Sequence, residues 1–64
     1  MTRAELGRLA YDTYSVAVGG RSVKGEPLPA YDGVRPEIQR AWEITGATIA
    51  ETVLHTGYEP ALLP

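Results

Sequence analysis

The sequence predicts an all-α fold, a hairpin of two helices at about residues 3–18 and 36–56 that is clamped by a packed loop. Two stretches with helical apolar spacing flank a central segment rich in glycine and proline. The chain has 64 residues, 44% of them hydrophobic, and no cysteine, so packing or a partner must stabilise it without disulfide bonds. The sequence therefore predicts one small domain over residues 1–64, in which residues 58–64 form an apolar tail.

The first helix is predicted from a start signal, a periodic face and a stop signal. Thr2 and Glu5 have the spacing of a capping box, in which each side chain bonds to the backbone amide of the other residue. Residues three or four positions apart then predict one buried face: Leu6, Leu9, Ala10, Thr13, Tyr14 and Ala17. Gly19 and Gly20 predict the end of the helix, because glycine readily adopts the left-handed conformation common there.

The segment between the helices, residues 21–35, contains two prolines and two glycines and cannot form one regular helix. Leu28 lies between the prolines, and a residue that precedes proline favours extended backbone. Residues 22–28 are therefore compatible with a short extended piece or a small β-hairpin. We expect Leu28 and Tyr31 to pack on the helices, because both side chains are apolar enough to avoid water.

Pro36 predicts the first turn of the second helix, where its missing amide removes no hydrogen bond. One face of this helix is predicted to be buried: Ile38, Ala41, Trp42, Thr45, Ile49, Thr52 and Val53. Gly46 lies inside the helix and costs up to about 1 kcal/mol relative to alanine. Its expected role is to let another backbone, such as that of the first helix, come close. Gly57 predicts the end.

Further apolar residues of the second helix lie outside this face: Ile44, Ala47, Ala50 and Leu54. Three explanations stay open, namely scattered exposure, burial against a second copy or another protein, and cover by the apolar tail. Tyrosine is common both at core edges and at interfaces, and Tyr11 falls off the predicted buried face. The candidate interface residues are therefore Tyr11, Ile44, Ala47, Leu54 and Tyr58.

The sequence contains no recognisable catalytic, cofactor-binding or metal-binding pattern. His55 is the single histidine and cysteine is absent, so neither a nucleophile–base pair nor a typical zinc site is expected. Gly19-Gly20-Arg21-Ser22 follows a helix and lacks the Gly-Lys-Ser/Thr ending of a phosphate-binding loop. We therefore expect no enzyme activity, no cofactor and no metal.

The charges and the apolar runs restrict the possible partners. The formal net charge is −2, and six basic residues are interleaved with eight acidic ones, whereas nucleic-acid binders gather their bases on one face. No apolar run approaches the roughly 20 residues that span a bilayer, and charges near the N-terminus interrupt any signal-peptide pattern. The sequence predicts a cytoplasmic protein that does not bind membranes. It disfavours nucleic acid as a partner.

A series of short motifs runs through residues 6–42. The series comprises Ala10-Tyr11, Gly19-Gly20, Gly25-x-Pro-Leu-Pro-x-Tyr31 and Gln39-x-Ala41-Trp42. It resembles a small helical domain of uncharacterised function that recurs in bacteriophage and prophage proteins of the actinobacterial type. The resemblance implies a phage-encoded protein in the host cytoplasm and implies no activity. Its structural motif residues in this chain are Gly19, Gly20, Leu28, Tyr31 and Trp42.

These observations predict a protein–protein interaction module, namely a small accessory phage protein that binds a host or phage protein and self-associates. The thin core and the apolar residues outside the first buried face favour this function, as does the absence of a catalytic pattern. The alternative is a structural or assembly component of the virion. A nucleic-acid-binding protein is the least favoured of the three.

Overall fold

The structure is a computed structural model that describes residues 1–58. Helix α1 spans Arg3–Ala17, a 3₁₀ turn spans Tyr31–Gly33, and helix α2 spans Pro36–Thr56. The two helices pack directly against each other, which confirms the predicted helical hairpin. The bounds of α2 agree with those predicted, and α1 ends one residue before its predicted end.

The helix ends follow the predicted local chemistry. The Thr2 amide donates to the Glu5 carboxylate at 2.7 Å, and the Glu5 amide donates to the Thr2 hydroxyl at 3.1 Å. After α1, Gly19 and Gly20 have φ angles of 72° and 74°, in the region that costs other residues energy. Pro36 occupies the first turn of α2, where proline is preorganised for the helix.

The capping box makes α1 sensitive to acid. Hydrogen bonds from the backbone and side chain of Thr2 lower the pKa of Glu5 below its ordinary value of 4.5. The ionised Glu5 carboxylate therefore contributes fully to stability when the pH is above 4.5. This contribution is lost as the pH falls through the pKa that Glu5 has in the folded protein. Below pH 4.5, we expect thermal melts by circular dichroism to show a steeper loss of stability for wild type than for Glu5→Gln. Equal pH slopes for the two proteins would contradict the prediction.

The loop after α1 turns back on itself through one isolated antiparallel bridge. Arg21 pairs with Pro27, and the Leu28 amide donates to the Gly20 carbonyl at 2.8 Å. Within residues 1–58 the structure contains no β-strand beyond this single bridge. The extended piece expected over residues 22–28 is therefore reduced to the bridge. Proline limits the pairing because it has no amide hydrogen to donate.

An aromatic cluster attaches the loop to both helices. The Tyr11 ring centroid lies 5.5 Å from that of Tyr31 and 5.5 Å from that of Trp42, with the Trp42 ring nearly perpendicular at 81°. The Tyr11 hydroxyl donates to the Pro29 carbonyl at 2.5 Å, and the Tyr31 hydroxyl donates to the Gln39 carbonyl at 3.1 Å. Tyr11 thus joins α1, the loop and α2. We call the set of Tyr11, Pro29, Tyr31, Gln39 and Trp42 the aromatic clamp.

An arginine covers the outside of the aromatic clamp. The Arg8 guanidinium lies 5.1 Å from the centre of the Tyr31 ring and forms an ion pair with Asp32. The hydrogen bond that Arg8 donates to the Asp32 carboxylate and the negative charge of that carboxylate raise the pKa of Arg8. Burial raises the pKa of the Tyr31 phenol. Because the chain itself supplies these partners, we interpret the clamp as structural.

Two glycines allow the helices to approach closely. A Cβ atom on Gly46 would lie 2.6 Å from the Leu6 carbonyl oxygen, and one on Gly7 would lie 2.9 Å from the Cα atom of Glu43. The first distance confirms the role predicted for Gly46. The role of Gly7 was not predicted, because a single glycine early in a helix has no local pattern that distinguishes it.

Two of the candidate interface residues, Tyr11 and Ala47, are buried within the hairpin. Tyr11 is 4% exposed and Ala47 is 8% exposed. The contact side of α1 runs through Gly7 and Tyr11, which are four positions apart and therefore neighbours on the helix surface. Periodicity of apolar side chains did not reveal this side, since glycine contributes no side chain to the pattern. Ala47 directly follows Gly46, where the backbones are closest, and is buried with it.

Candidate functional site

An apolar groove runs between the two helices on one side of the hairpin. It has a volume of about 510 Å³ and is open to solvent. Its lining residues are Leu6, Leu9, Ala10 and Thr13 from α1, and Gly46, Ile49, Ala50 and Val53 from α2. We call this feature the interhelical groove.

The size of the lining residues gives the groove its shape. Small residues lie where the helices are closest, and of these Ala10 and Ala50 are half-buried. Larger residues farther out remain accessible, with Leu9 at 52% exposed and Ile49 at 57% exposed. The close approach at Gly46 therefore produces a shallow floor between two apolar walls.

The groove and the aromatic clamp lie on opposite sides of α1. Tyr11 is two positions from both Leu9 and Thr13, which corresponds to about 200° around the helix. The loop packs on the Tyr11 side, whereas every described residue that lines the groove belongs to a helix. On the groove side, residues 1–58 therefore present the two helices alone.

The groove is built from residues that periodicity predicted to be core. Leu6, Leu9, Ala10 and Thr13 form most of the predicted buried face of α1, and Ile49 and Val53 belong to that of α2. The prediction that these faces are buried was wrong for the larger side chains, since Leu9 and Ile49 are more than half exposed. Two helices bury only their line of contact, and an apolar stripe about 100° wide needs a third element to cover it.

Among residues 1–58, no charged side chain lines the groove. In α2, no charged residue occurs between Glu43 and Glu51, the stretch that supplies Gly46, Ile49 and Ala50. A binding partner would therefore meet neither attraction nor repulsion from charges at the floor, and burial of apolar surface would dominate contact with it.

Threonines beside the groove add to its apolar character. The hydroxyls of Thr45, Thr52 and Thr56 each donate to the carbonyl four residues earlier, at 2.9, 2.8 and 2.6 Å. Each bond turns the hydroxyl onto the backbone of α2 and leaves the methyl group for other contacts. Thr45 and Thr52 are four and three positions from Ile49, so they lie on the same side of the helix. This side of α2 is consequently rich in methyl groups.

Three of the five predicted interface residues are exposed but lie outside the groove. Ile44, Leu54 and Tyr58 are 51%, 78% and 64% exposed, and none of them lines it. Ile44 is five positions from Ile49, which corresponds to about 140° around the helix. The two isoleucines thus have similar exposure on different sides of α2, and they form a matched pair for experiments.

Residues 1–58 contain one histidine and no cluster of metal-ligating side chains. In this part of the chain no three His, Asp or Glu side chains are grouped so that they could hold a metal ion. Neither described helix combines the length and hydropathy needed to cross a membrane. His55 is exposed in the last turn of α2, where the helix dipole favours positive charge.

Comparison with protein-family models, with curated proteins and with solved structures found no match. The resemblance to the phage domain therefore stays a prediction from its motifs. The structure gives those motifs a physical role, because Tyr31, Gln39 and Trp42 all belong to the aromatic clamp. Leu28 is half-buried in the same loop.

Proposed function

We propose that this chain is a protein-binding module whose docking surface is the interhelical groove. The observation that carries the proposal is the continuous apolar lining of the groove, in which Leu9 and Ile49 are more than half exposed. Burial of apolar surface contributes about 25 cal/mol per Å². Contiguous exposed apolar surface on small proteins commonly marks an interaction site.

The shape and charge of the groove favour one class of partner. A groove between two helices suits an amphipathic helix, which inserts apolar residues spaced three and four apart. Nucleic acid is disfavoured, since its affinity depends on basic residues that contact phosphates and the lining has none. The partner we propose is therefore a protein that presents an apolar helical face.

The biological setting is proposed from the motifs of residues 25–42. Their resemblance to the recurring phage domain supports a small phage-encoded accessory protein that acts in the host cytoplasm. In that setting the groove would bind a host or phage protein. The proposed role is binding rather than catalysis, because none of the described lining residues has a titratable side chain that could activate the Thr13 hydroxyl as a general base.

Site-specific photo-crosslinking in bacterial cells that express the full chain tests the proposed function. The photoreactive residue p-benzoylphenylalanine replaces Ile49 in one variant and Ile44 in the other. We expect illumination to give a discrete protein adduct from position 49 at several times the yield from position 44, because only Ile49 lies in the groove. Mass spectrometry then identifies the crosslinked protein.

The two positions control for each other, since both are isoleucines of α2 with about half of their surface exposed. Circular dichroism of the purified variants establishes that both are folded. No adduct at position 49, or equal yields at the two positions, would contradict docking in the groove.

A further inference from the structure

We propose that the occupant of the interhelical groove is a second copy of this chain. Two hairpins would pack groove to groove about a two-fold axis and bring four helices into one bundle. The inference rests on the proposed function, since it takes the groove as a docking surface and names its partner.

The apolar stripes of α1 and α2 favour this arrangement because they lie on the same side of the hairpin. Leu9 from α1 and Ile49 from α2 are walls of one groove, opposite the side of α1 that carries Tyr11. Within residues 1–58, the buried hydrophobic side chains are Tyr11, Tyr31 and Ala47. A second hairpin on the groove side supplies the missing layer of a bundle.

The exposed side chains of the groove favour a partner that is built in the same way. Leu9, Ile49 and Val53 are 52%, 57% and 43% exposed, and all three line the groove. A second hairpin would present the same three side chains in return, so each copy would bury the apolar walls of the other.

The groove also meets the condition that two-fold symmetry imposes. In such an interface the same patch meets itself, so any charge near the axis would face a like charge. The lining that residues 1–58 supply contains no charged residue, although the chain as a whole carries a net charge of −2. Small residues such as Ala10 and Ala50 lie beside larger ones such as Ile49, so the walls of one copy can fill the floor of the other.

Sedimentation equilibrium of the purified full chain, from micromolar to millimolar concentration, tests the dimer. We expect the wild-type mass to approach twice the 6.9 kDa of one chain. Ile49→Glu places an unpaired carboxylate in the interface of each copy, and we expect the dissociation constant to rise at least about a hundredfold. Ile44→Glu makes the same change on the other side of α2 and should leave the dissociation constant within error. Circular dichroism reports whether each variant is folded.

Three results would overturn the dimer. The first is a wild-type chain that stays at the mass of one copy up to millimolar concentration. The second is equal weakening by Ile44→Glu and Ile49→Glu, which would place the interface elsewhere. The third is a monomer that dimerises only after Leu62 and Leu63 are replaced by serine, which would assign the groove to the chain's own tail.

The dimer and the proposed function can fail separately. A monomeric chain that still crosslinks to a different protein from position 49 would exclude the dimer and retain the groove as a docking surface. Neither self-association nor crosslinking through position 49 would exclude both.

Discussion

Tyr11→Ala is expected to unfold a large fraction of the molecules at room temperature. The substitution removes the ring that packs against Tyr31 and Trp42 and the hydroxyl that bonds to Pro29. Truncation of a buried aromatic residue costs about 3–5 kcal/mol, whereas at about 0.05–0.15 kcal/mol per residue a chain of 64 residues has about 3–10 kcal/mol in total. Far-UV circular dichroism with urea titration measures the loss.

Tyr14→Ala is the matched control for this prediction. Tyr14 is also a tyrosine of α1, and its ring centroid lies 5.2 Å from that of Trp42, but it is 37% exposed. We expect a clearly smaller loss of stability from Tyr14→Ala, because less surface returns to water. Tyr11→Phe keeps the ring and removes only the hydrogen bond to Pro29, at a cost of about 1 kcal/mol. Equal losses for Tyr11→Ala and Tyr14→Ala would contradict the central position of Tyr11.

Gly46→Ala is expected to destabilise the protein even though it improves helix propensity. Alanine in a helix interior is favoured over glycine by up to about 1 kcal/mol. At this position the added Cβ would lie 2.6 Å from the carbonyl oxygen of Leu6 and 2.8 Å from its carbonyl carbon. These backbone atoms cannot rotate away, so the helices must move apart. We expect a net loss of about 1–3 kcal/mol in the free energy of unfolding, measured by urea titration.

Thr48→Ala provides the control for helix propensity without a clash, since Thr48 is exposed on the same helix. It should leave stability unchanged or raise it slightly. Gly7→Ala should also destabilise the protein, because its Cβ would lie 2.9 Å from the backbone nitrogen and Cα of Glu43. A Gly46→Ala variant more stable than wild type would show that the helices are not held at this separation.

Local interactions explain why the helices could be predicted. The capping box joins residues three positions apart, Pro36 sets its own backbone angle, and Gly57, with a φ of 80°, ends α2 within one residue. Each signal acts over at most one helical turn, so it can be read from neighbouring residues. The packing of Tyr31 and Trp42 was also predictable, because burying a large aromatic side chain removes much apolar surface from water.

The candidate site could be predicted only in part. Its residues appeared in the sequence as a core face, and Ile44, Leu54 and Tyr58 were expected at the interface instead. Nothing in the local pattern indicates that Leu9 and Ile49 remain accessible, because their exposure depends on what the loop covers. The loop packs against Tyr11, which lies on the side of α1 opposite the groove.

The two helices, their ends and the residues that share a helical face follow from local signals in the sequence. Tertiary packing sets which side of each helix meets the other and which side remains open. It does so because Gly7 and Gly46 bring backbone against backbone, a contact between residues far apart in the chain that apolar periodicity does not record. That contact turns Tyr11 into the core and leaves the most regular apolar faces to form the walls of the interhelical groove.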